Sequence, residues 1–584
     1  MRMRTAAAAL LGCLLWPSGL MTARAPNVII VITDDQGYGD LGSTGNPHLA
    51  TPHLDRLAAE SVVFDRFFVS PVCAPTRASL LTGRYHLRTG TWGVTGGRET
   101  MRGSEVTLAE VFKRGGYRTG AFGKWHNGAH VPATPRAQGF DEFFGFLGGH
   151  WNLYVDAALE RNGQPVATKG YIADVLTDEA MQFIDRHRRR PFFLYLALNT
   201  PHSPLQVPDA YYDRFAARGM SPTLSTVYGM VENIDDNVGR LLGRLSALGL
   251  REDTMVIFLS DNGPAGERYN AGMRGRKGSV HEGGGRVPFF IRWPGRLQPR
   301  RVDRIAAHID LLPTLVDLLS LPAPGEHRPD GLSLRQLLEG RAQDWPDRML
   351  FTQQARPEGG PNTYPGGVRT QQHRLVNEGK GWQLFDMVLD PGQTRDIADA
   401  NAALVQRLGG AYDGWFAEAS VHAFKRPPIE VGHPAENPIE LDAPQALLSG
   451  GLAYKNSAQG YANDWIAEWT STDGVAAWEL DVVRPGRYGV ELAYVCSEAD
   501  AGSDVRVSAG SAFTQAVVRG TPLRPIALPH REPGQYYRSM IWSRLPAGTL
   551  RLERGRTRLE IRGRDMPGRS VMELKHVSLR YLGG

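Results

Sequence analysis

Four short apolar runs, each followed directly by polar or charged residues, limit the folds that this 584-residue chain can adopt. The runs are residues 28–32, 119–122, 192–198 and 255–259. Continuous apolar runs of this length, rich in β-branched and aromatic residues, are typical of strands buried on both faces of a parallel sheet. Amphipathic helices are predicted between them, one starting at Thr51-Pro52 and one over residues 223–248. The pattern predicts an α/β domain with a mainly parallel sheet flanked by helices.

The polar groups at the ends of these runs are candidates for one shared site. They are Asp34 and Asp35, Lys124 and His126, His202, and Asp261 with Asn262. Each end alone could be a polar turn, but open α/β sheets bind ligands beyond the carboxyl ends of their strands, and four such ends together favour a site. Asp34, Asp35, Asp261 and Asn262 offer hard oxygen ligands, which suit Ca²⁺, or else Mg²⁺, better than a soft metal.

The chain has three cysteines, at positions 13, 73 and 496, which are too few and too far apart for a disulfide framework or a thiolate metal site. Cys73 begins the motif Cys73-Ala74-Pro75-Thr76-Arg77, which leads into a predicted helix closed by Gly83. A cysteine at a helix N-terminus near an arginine should have a lowered pKa and be reactive. A buried, unreactive thiol is an equally common role for such a residue, and it is the role that we expect for Cys496.

Several motifs together resemble those of the type I sulfatases, the arylsulfatase family of the alkaline-phosphatase-like superfamily. The motifs are Asp34-Asp35-Gln36-Gly37, Cys73-Ala74-Pro75-Thr76-Arg77 with Leu81-Thr82-Gly83-Arg84, Gly123-Lys124-Trp125-His126, Pro201-His202, Asp261-Asn262-Gly263, and Lys277-Gly278 before Glu282-Gly283-Gly284. The resemblance covers about residues 26–420. It implies that Cys73 is oxidised to formylglycine by a formylglycine-generating or anaerobic maturating enzyme. Thr76 stands where the family often has serine, and it keeps the hydroxyl.

The resemblance also implies a role for each site residue. Ca²⁺, with Mg²⁺ as the alternative, would be held by the modified Cys73 together with Asp34, Asp35, Asp261 and Asn262. Arg77 and Lys124 would hold the modified residue, and His126 would handle the proton of one of its hydroxyls. Lys124, His202 and Lys277 would bind the substrate, with His202 as the acid for the leaving group. Of the two hydroxyls of the hydrated aldehyde, one would attack sulfur and the other would collapse to release sulfate.

The expected activity is therefore sulfate-ester hydrolysis, with a sulfated glycan as natural substrate and simple aryl sulfates as artificial ones. Two other functions stay open: a phosphate or phosphonate ester hydrolase of the same superfamily, and an inactive glycan-binding homologue. Five residues between the motifs could recognise an anionic sugar, although a surface position is favoured for residues of these types. They are Arg98, His150, Trp151, Arg274 and Arg276.

Residues 1–25 are predicted to be a signal peptide, with two arginines, an apolar stretch and a cleavage site at Ala23-Arg24-Ala25. The apolar stretch continues past Cys13, which argues against lipoprotein processing there. We expect a periplasmic or secreted protein with no integral membrane segment after cleavage. With 66 Lys and Arg against 61 Asp and Glu, the net charge of +5 gives no reason to expect a nucleic-acid partner.

Four segments are predicted after the signal peptide. Residues 26–340 should form the catalytic α/β domain and residues 341–425 a small α+β subdomain. Five prolines between positions 427 and 444 predict a linker over residues 426–445. Alternating apolar residues over 446–584 predict a β-sandwich similar to carbohydrate-binding jelly rolls.

Within this β-sandwich, residues 478–482 and 488–494 are expected to pair as a hairpin, and residues 549–552 and 558–561 as another. Aromatic residues of the domain could stack on sugars, although core positions are more common for such side chains. They are Trp465, Trp469, Trp478, Trp542, Tyr536 and Tyr537.

Overall fold

The computed structural model describes residues 25–354, 362–526 and 540–584. Every candidate site residue lies within these ranges, whereas Cys13, Tyr536, Tyr537 and residues 1–24 of the expected signal peptide lie outside them. Within the described ranges, we find no helix with both the length and the apolar character that crossing a bilayer requires.

A ten-stranded sheet organises the N-terminal part of the chain. Its order is β12-β2-β11-β9-β1-β8-β4-β5-β6-β7, and β10-β3-β13 form a small second sheet. The strands are β1 (Asn27–Thr33), β2 (Val62–Phe64), β3 (Phe67–Phe68), β4 (Arg118–Lys124), β5 (Glu142–Phe146), β6 (Ala158–Arg161), β7 (Gln164–Ala167), β8 (Phe192–Ala197), β9 (Thr254–Ser260), β10 (Arg286–Val287), β11 (Phe289–Arg292), β12 (Arg300–Val302) and β13 (Ala306–Ala307).

The centre of the large sheet is parallel and its edges are mixed. Strands β9, β1, β8, β4 and β5 run parallel to their neighbours, while β11 is antiparallel to β9 and β6 is antiparallel to β5 and β7. The four apolar runs of the sequence are β1, β4, β8 and β9, and every residue of β1 and β9 is buried. The predicted α/β fold with a mainly parallel sheet is confirmed.

Helices cover both faces of this sheet. They are α1 (Pro52–Ala59), α2 (Cys73–Thr82), α3 (His86–Thr89), α4 (Leu108–Arg114), α5 (Ile172–His187), α6 (Asp209–Ala216), α7 (Pro222–Ala247), α8 (Glu282–Gly285), α9 (Leu311–Leu319) and α10 (Arg335–Leu338). Alternate residues of β1 enter two separate cores: Ile30 packs in the core with α2, α4 and α9, and Ile29 in the core with α1, α5 and α7. The two cores hold the central strands rigidly in place, with their carboxyl ends on one edge.

A smaller antiparallel sheet follows in the range expected as an α+β subdomain. Its strands, in the order β14-β15-β16-β17, pair with their neighbours antiparallel, and one long helix, α11, packs on them. The elements are β14 (Leu350–Gln353), β15 (Gly366–Arg369), β16 (His373–Asn377), β17 (Trp382–Asp386) and α11 (Ala402–Ala419).

The C-terminal part is a sandwich of two sheets around one core, as predicted. One sheet is β18-β23-β28-β25-β26 with β20 beside β23, and the other is β21-β22-β29-β24-β27 with β19 beside β29. The strands are β18 (Ile429–Val431), β19 (Ile439–Asp442), β20 (Leu447–Ser449), β21 (Ala453–Tyr454), β22 (Ile466–Ala467), β23 (Val475–Val482), β24 (Gly486–Val495), β25 (Asp504–Ala509), β26 (Ala512–Val517), β27 (Ser543–Leu552), β28 (Gly555–Gly563) and β29 (Glu573–Gly583). Trp469 and Trp478 belong to the core between the sheets.

Both predicted hairpins are wrong. Strand β23 pairs with β28 while β24 pairs with β27 and β29, so each short connection crosses from one sheet to the other. The expected linker over residues 426–445 also needs correction, because it contains β18 and β19, which pair with β23 and β29. Alternation shows which side chains face the core, but both sheets face the same core, so it does not identify the partner strand.

Candidate active site

Two neighbouring strand ends bring the acidic residues together. Thr33 at the end of β1 lies opposite Ser260 at the end of β9, so the residues that follow are adjacent. The Asp35 amide donates to Asp261 Oδ1 at 3.2 Å. Asp35 has a backbone φ of 65°, a left-handed conformation that aspartate tolerates better than most residues.

The oxygen atoms at these strand ends fit a hard divalent cation. Carboxylate oxygens of Asp34, Asp35 and Asp261 lie within 4.8 Å of one another, and all three residues are buried. Within the described part of the chain, Asp34 Oδ1 and Asn262 Oδ1 are buried and have no hydrogen-bond partner. Buried acceptors without a donor are costly, and an all-oxygen donor set suits Ca²⁺ or Mg²⁺.

Three cationic side chains surround these carboxylates. Lys124 Nζ is 2.6 Å from Asp34 Oδ2, and Lys277 Nζ is 2.6 Å from Asp35 Oδ1. Arg77 donates through Nε and Nη2 to Asp261 Oδ2, at 3.0 and 2.8 Å. Arg77, Lys124 and the carboxylates are almost entirely buried, so these ion pairs form in a medium of low dielectric constant.

The pKa values of two carboxyls diverge in this environment. Burial alone would raise the pKa of Asp35, but the charges of Lys277 and His202 outweigh burial and hold it well below its ordinary value. Burial and the neighbouring Asp34 raise the pKa of Asp261 to about 6, although Arg77 opposes them. Lys277 thus stabilises the ionised form of Asp35, the carboxylate that it contacts most closely.

Cys73 is the first residue of α2 and lies at this cluster. Its sulfur, a carboxylate oxygen of Asp34 and a ring nitrogen of His202 lie within 4.8 Å of one another. The side-chain amide of Asn127 donates to the Ala74 carbonyl at 3.0 Å and anchors the start of the helix. The structure therefore places Cys73 close to a carboxylate of this cluster and to a histidine.

The expected lowering of the Cys73 pKa is wrong. Burial raises the pKa of the thiol, and the charges of Lys124 and Lys277 only partly oppose it. The exposed fraction of Cys73 is 2%, so the helix N-terminus and the cations act on a group that is shielded from water. The thiol itself is therefore a poor nucleophile here.

His126 offers one nitrogen atom to this cleft. Its Nε2 is 2.9 Å from the Val94 carbonyl, which can only accept, so Nε2 carries the proton. Its Nδ1 is buried and has no hydrogen-bond partner among the described residues. A Cβ on Gly149 would come 2.5 Å from His126 Nε2, so glycine there leaves room for the ring. In the neutral ring, Nδ1 is a proton acceptor.

His202 follows β8 and faces Asp35. Its Nδ1 lies 2.5 Å from the Ser203 carbonyl, so Nδ1 carries the proton, and its Nε2 lies 3.8 Å from Asp35 Oδ2. Burial lowers the pKa of His202 to about 3, and the Lys277 charge adds to this effect while Asp35 opposes it. The Nε2 atom is thus directed toward the cluster of charges.

Backbone hydrogen bonds position the loop that carries Lys277. The Lys277 amide donates to the Pro264 carbonyl at 3.1 Å, and the Gly278 amide donates to the Pro71 carbonyl at 2.8 Å. The loop is thereby tied both to the segment after β9 and to the segment before α2. Lys277 reaches a strand end although it follows no strand itself.

Two of the five candidate sugar-recognition residues, for which the sequence favours a surface position, are buried, and one of them contacts the site. The His150 ring stacks on the His202 ring with centroids 6.2 Å apart, and the Arg98 guanidinium lies over Trp92. Trp151 packs against Phe146, with ring centroids 5.7 Å apart.

The last two candidates lie on the Lys277 loop. Arg274 lies over the Phe385 ring, and Arg276 is half exposed and pairs with Glu267. Asn127 was not a candidate, although it directly follows the Lys124-Trp125-His126 motif.

An α/β sheet whose carboxyl edge gathers buried carboxylates, cationic side chains and two histidines is suited to the hydrolysis of an anionic ester. Residues 26–321 match the family model described as sulfatase. Residues 276–408 match the model described as N-sulphoglucosamine sulphohydrolase, C-terminal. The chain belongs to the sulfatase family and is a type I sulfatase, a sulfuric ester hydrolase.

Named relatives agree with this assignment. Human arylsulfatase A is 34% identical over 411 residues, which are 64% of this chain and 79% of the relative. N-acetylgalactosamine-6-sulfatase of Mus musculus is 35% identical over 370 residues, 56% of this chain and 70% of the relative.

Among solved structures, Ps i-CgsB in complex with k-i-k-neocarrahexaose has a TM-score of 0.64 and 28% identity to this chain. The match covers 69% of this chain and 95% of that one. Both family models match residues that precede β18, so the sandwich lies outside them.

Proposed function

We propose that the protein hydrolyses a sulfate ester of a sulfated glycan, using a formylglycine made from Cys73 and a bound Ca²⁺. Three unpartnered buried atoms around one cleft, Asp34 Oδ1, Asn262 Oδ1 and His126 Nδ1, carry this proposal. Two of these atoms suit a cation, and the third suits a hydroxyl donor. The relatives named for N-acetylgalactosamine 6-sulfate and the solved complex with neocarrahexaose support a sugar as the carrier of the sulfate.

The groups that the family implies would sit where these residues converge. Asp34, Asp35, Asp261 and Asn262 would hold the cation, which supplies charge to neutralise sulfate oxygens and to acidify a nucleophile. A formylglycine hydrate at position 73 would supply two hydroxyls on one carbon, one to attack sulfur and one to release sulfate.

Three residues around position 73 would orient the modified side chain and remove a proton from one of its hydroxyls. Arg77 fixes Asp261 through two hydrogen bonds and also donates to the Lys124 carbonyl at 3.1 Å, so it holds two strand ends together. Lys124 places a positive charge beside Asp34. His126 Nδ1 would accept a hydroxyl proton, since its Nε2 is engaged by Val94.

On the opposite side of the cleft, His202 and Lys277 would act on the substrate. Lys277 would bind a sulfate oxygen, as a charge-assisted donor. His202 Nε2 would give a proton to the leaving alcohol oxygen. Because Nδ1 already carries the proton donated to the Ser203 carbonyl, this step needs the doubly protonated ring, which the negative charge of a bound sulfate ester would favour. Both groups lie near the oxygen atoms of Asp35.

We also propose that the chain is exported to the periplasm or secreted, and that a maturating enzyme oxidises Cys73. The apolar N-terminal sequence carries the first part of this proposal, and the Cys73 motif carries the second.

One experiment tests the chemistry directly. The chain is expressed with a maturating enzyme, and the mass of the tryptic peptide containing residue 73 is measured by mass spectrometry. The mass of the aldehyde form is expected. The matured protein should release sulfate from an aryl sulfate and from members of a panel of sulfated saccharides. Cys73→Ala is the matched inactive control. A matured sample that releases no sulfate from any ester contradicts the proposal.

A second measurement separates sulfate from phosphate chemistry. The ratio kcat/KM for an aryl sulfate is expected to exceed that for an aryl phosphate diester with the same leaving group. A higher value for the phosphate diester would assign the site to the phosphate or phosphonate ester hydrolases instead.

A further inference from the structure

A loop of the C-terminal sandwich packs against the loops that hold the active-site histidines. Thr95 donates from its hydroxyl to the Gly460 carbonyl, and Asn463 donates from Nδ2 to the His150 carbonyl at 2.7 Å. Thr95 follows Val94, the partner of His126, and His150 stacks on His202. The sandwich therefore contacts the loop that carries Val94 and Thr95 and the loop that carries His150.

Two adjacent residues of this sandwich loop connect the cleft with a lysine. Asn463 has a φ of 65°, a left-handed conformation that asparagine favours, and its side chain reaches His150. The next residue, Asp464, accepts a hydrogen bond on its backbone carbonyl from Lys575 Nζ at 3.2 Å. Lys575 lies near the start of β29 and is half-buried. Two consecutive residues of one loop thus hydrogen-bond to His150 and to Lys575.

The Lys575 ammonium has few close partners. Among the described residues, no carboxylate oxygen lies within the 4.0 Å of an ion pair. The Asp464 carboxylate is already occupied by donors of Asn456, Ser457 and Trp465. The neighbouring carboxylate Glu440 pairs with Arg544 and His576. Burial lowers the pKa of Lys575, while the nearby Asp442, Asp464 and Glu440 oppose this effect and favour the charged ammonium. The hydrogen bond to the Asp464 carbonyl uses one of its three N–H donors, so others can serve an anion.

The charge of Lys575 also acts on the His150 ring. Burial lowers the pKa of His150 well below its ordinary value, and positive charges around the ring lower it further. Those charges are His202, Lys124, Lys575 and Lys277. The lysine of the sandwich therefore acts on the same imidazole as the lysines and the histidine of the active site.

We infer that the sandwich forms one wall of the substrate cleft and that Lys575 and His150 make a second anion subsite. The subsite would take a second oxyanion, a sulfate or a uronate carboxylate, of the saccharide whose sulfate ester is cleaved. This inference rests on the proposed function and narrows its substrate class to saccharides with at least two anionic groups. The natural substrate would then be recognised jointly by the catalytic part and by the sandwich.

The test uses the full chain carrying Cys73→Ala, which has no thiol or hydroxyl to oxidise to the aldehyde, so that binding is measured without turnover. The binding of three probes is measured by calorimetry in buffer containing Ca²⁺: a monosulfated hexosamine, the same hexosamine disulfated, and the monosulfated hexosamine linked to a uronate. At least one doubly anionic probe is expected to bind at least about tenfold more tightly than the monosulfated one.

The variants Lys575→Gln and Lys575→Arg separate charge from packing. Glutamine keeps a donor for the Asp464 carbonyl but has no charge, so the preference for the doubly anionic probe should disappear. Arginine keeps the charge and should retain the preference. Lys113→Gln is the matched control, because Lys113 pairs with Asp141 before β5, at the opposite edge of the sheet.

The inference is overturned if the parent chain binds all probes equally or binds no doubly anionic probe. It is also overturned if Lys575→Gln keeps the preference, or if Lys575→Gln and Lys575→Arg lose affinity for all probes alike, which would mark a structural lysine. These failures are distinct from that of the proposed function, because the matured chain with Cys73 would still release sulfate from an aryl sulfate.

Discussion

At the scale of single residues, Arg77 supplies a buried positive charge that compensates the carboxylates of the site. Its guanidinium is fully buried and donates twice to one oxygen of Asp261, with Asp34 at 3.9 Å. Removing one partner of a buried ion pair leaves an uncompensated charge, so Arg77→Met should lower the free energy of unfolding by about 3–5 kcal/mol. Urea unfolding followed by tryptophan fluorescence measures this loss, and turnover should be lost as well.

The control for Arg77 is an exposed ion pair. Arg301 pairs with Asp65, and its side chain is 64% exposed. Arg301→Met should change the free energy of unfolding by about 1 kcal/mol or less, since solvent screens such pairs. Equal losses in the two variants would show that Arg77 does not carry a buried charge.

The three carboxylates at the strand ends predict that metal removal destabilises the protein. Their oxygens lie within 4.8 Å of one another, so without a cation their charges repel. A cation at a hundred times its Kd adds about 2.7 kcal/mol of stability. Treatment with EDTA should therefore lower Tm in a calorimetric scan, and Ca²⁺ should restore it. In Asp34→Asn the effect should shrink, and an unchanged Tm in the native chain would contradict the prediction.

How far the sequence predicts individual residues depends on whether they follow a strand. Asp34 and Asp261 could be predicted, because β1 and β9 are continuous apolar runs whose ends must meet at one edge. The burial of His150 could not, because it depends on Asn463, more than 300 positions away in the sequence. The pKa of Cys73 was missed for the same reason: burial by distant segments outweighs the local helix N-terminus.

At the scale of elements, the end of α2 depends on one glycine. Gly83 has a φ of 69°, and its amide donates to the Ser79 carbonyl at 2.8 Å. A Cβ at this position would come within 3.1 Å of Leu312 Cβ and 3.2 Å of Pro329 Cβ. Gly83→Ala should therefore combine backbone strain with crowding, and lower the free energy of unfolding by about 2–4 kcal/mol.

Gly249 provides the matched control, because it ends α7 with a φ of 67° and nothing lies within 4 Å of a Cβ built there. Gly249→Ala should cost only the backbone strain, about 1–2 kcal/mol. The difference between the two losses, measured by urea unfolding, isolates the crowding behind α2. Equal losses of unfolding free energy would show that Leu312 and Pro329 can move away from the added Cβ at no measurable energetic cost.

The strands of the sandwich show what hydrophobic alternation in the sequence cannot predict. Residues 478–482 and 488–494 are strands, as alternation predicts, yet β23 and β24 belong to different sheets. In a sandwich, both sheets direct alternate side chains into one core. The two-residue hydrophobic alternation therefore shows which side chains face the core, but it does not show which strand pairs with which. One partner of β23 is β28, which follows it by more than 70 residues.

At the scale of the whole molecule, His130, whose side chain is 10% exposed, joins the catalytic part to two loops of the sandwich. His130 Nδ1 is 2.6 Å from Glu436 Oε1, and Nε2 is 2.9 Å from Gln445 Oε1. The Val131 amide also donates to Glu436 Oε2, at 3.0 Å. Both side-chain hydrogen bonds come from one imidazole ring, so the contact between the catalytic part and the sandwich depends on the protonation of His130.

The last prediction concerns this contact. Burial alone would lower the pKa of His130, but Glu436, helped by Gln445 and Asp442, raises it from 6.5 to about 9. The pair therefore stabilises the fold fully below pH 6.5 and loses its contribution as pH rises through 9, a difference of about 3 kcal/mol. Glu436→Gln should lower the free energy of unfolding most near pH 6.5, and the loss should become smaller as the pH approaches 9. In chains that already carry His130→Gln, Glu436→Gln should show no such pH dependence, and a dependence that persists there would assign the effect to another group.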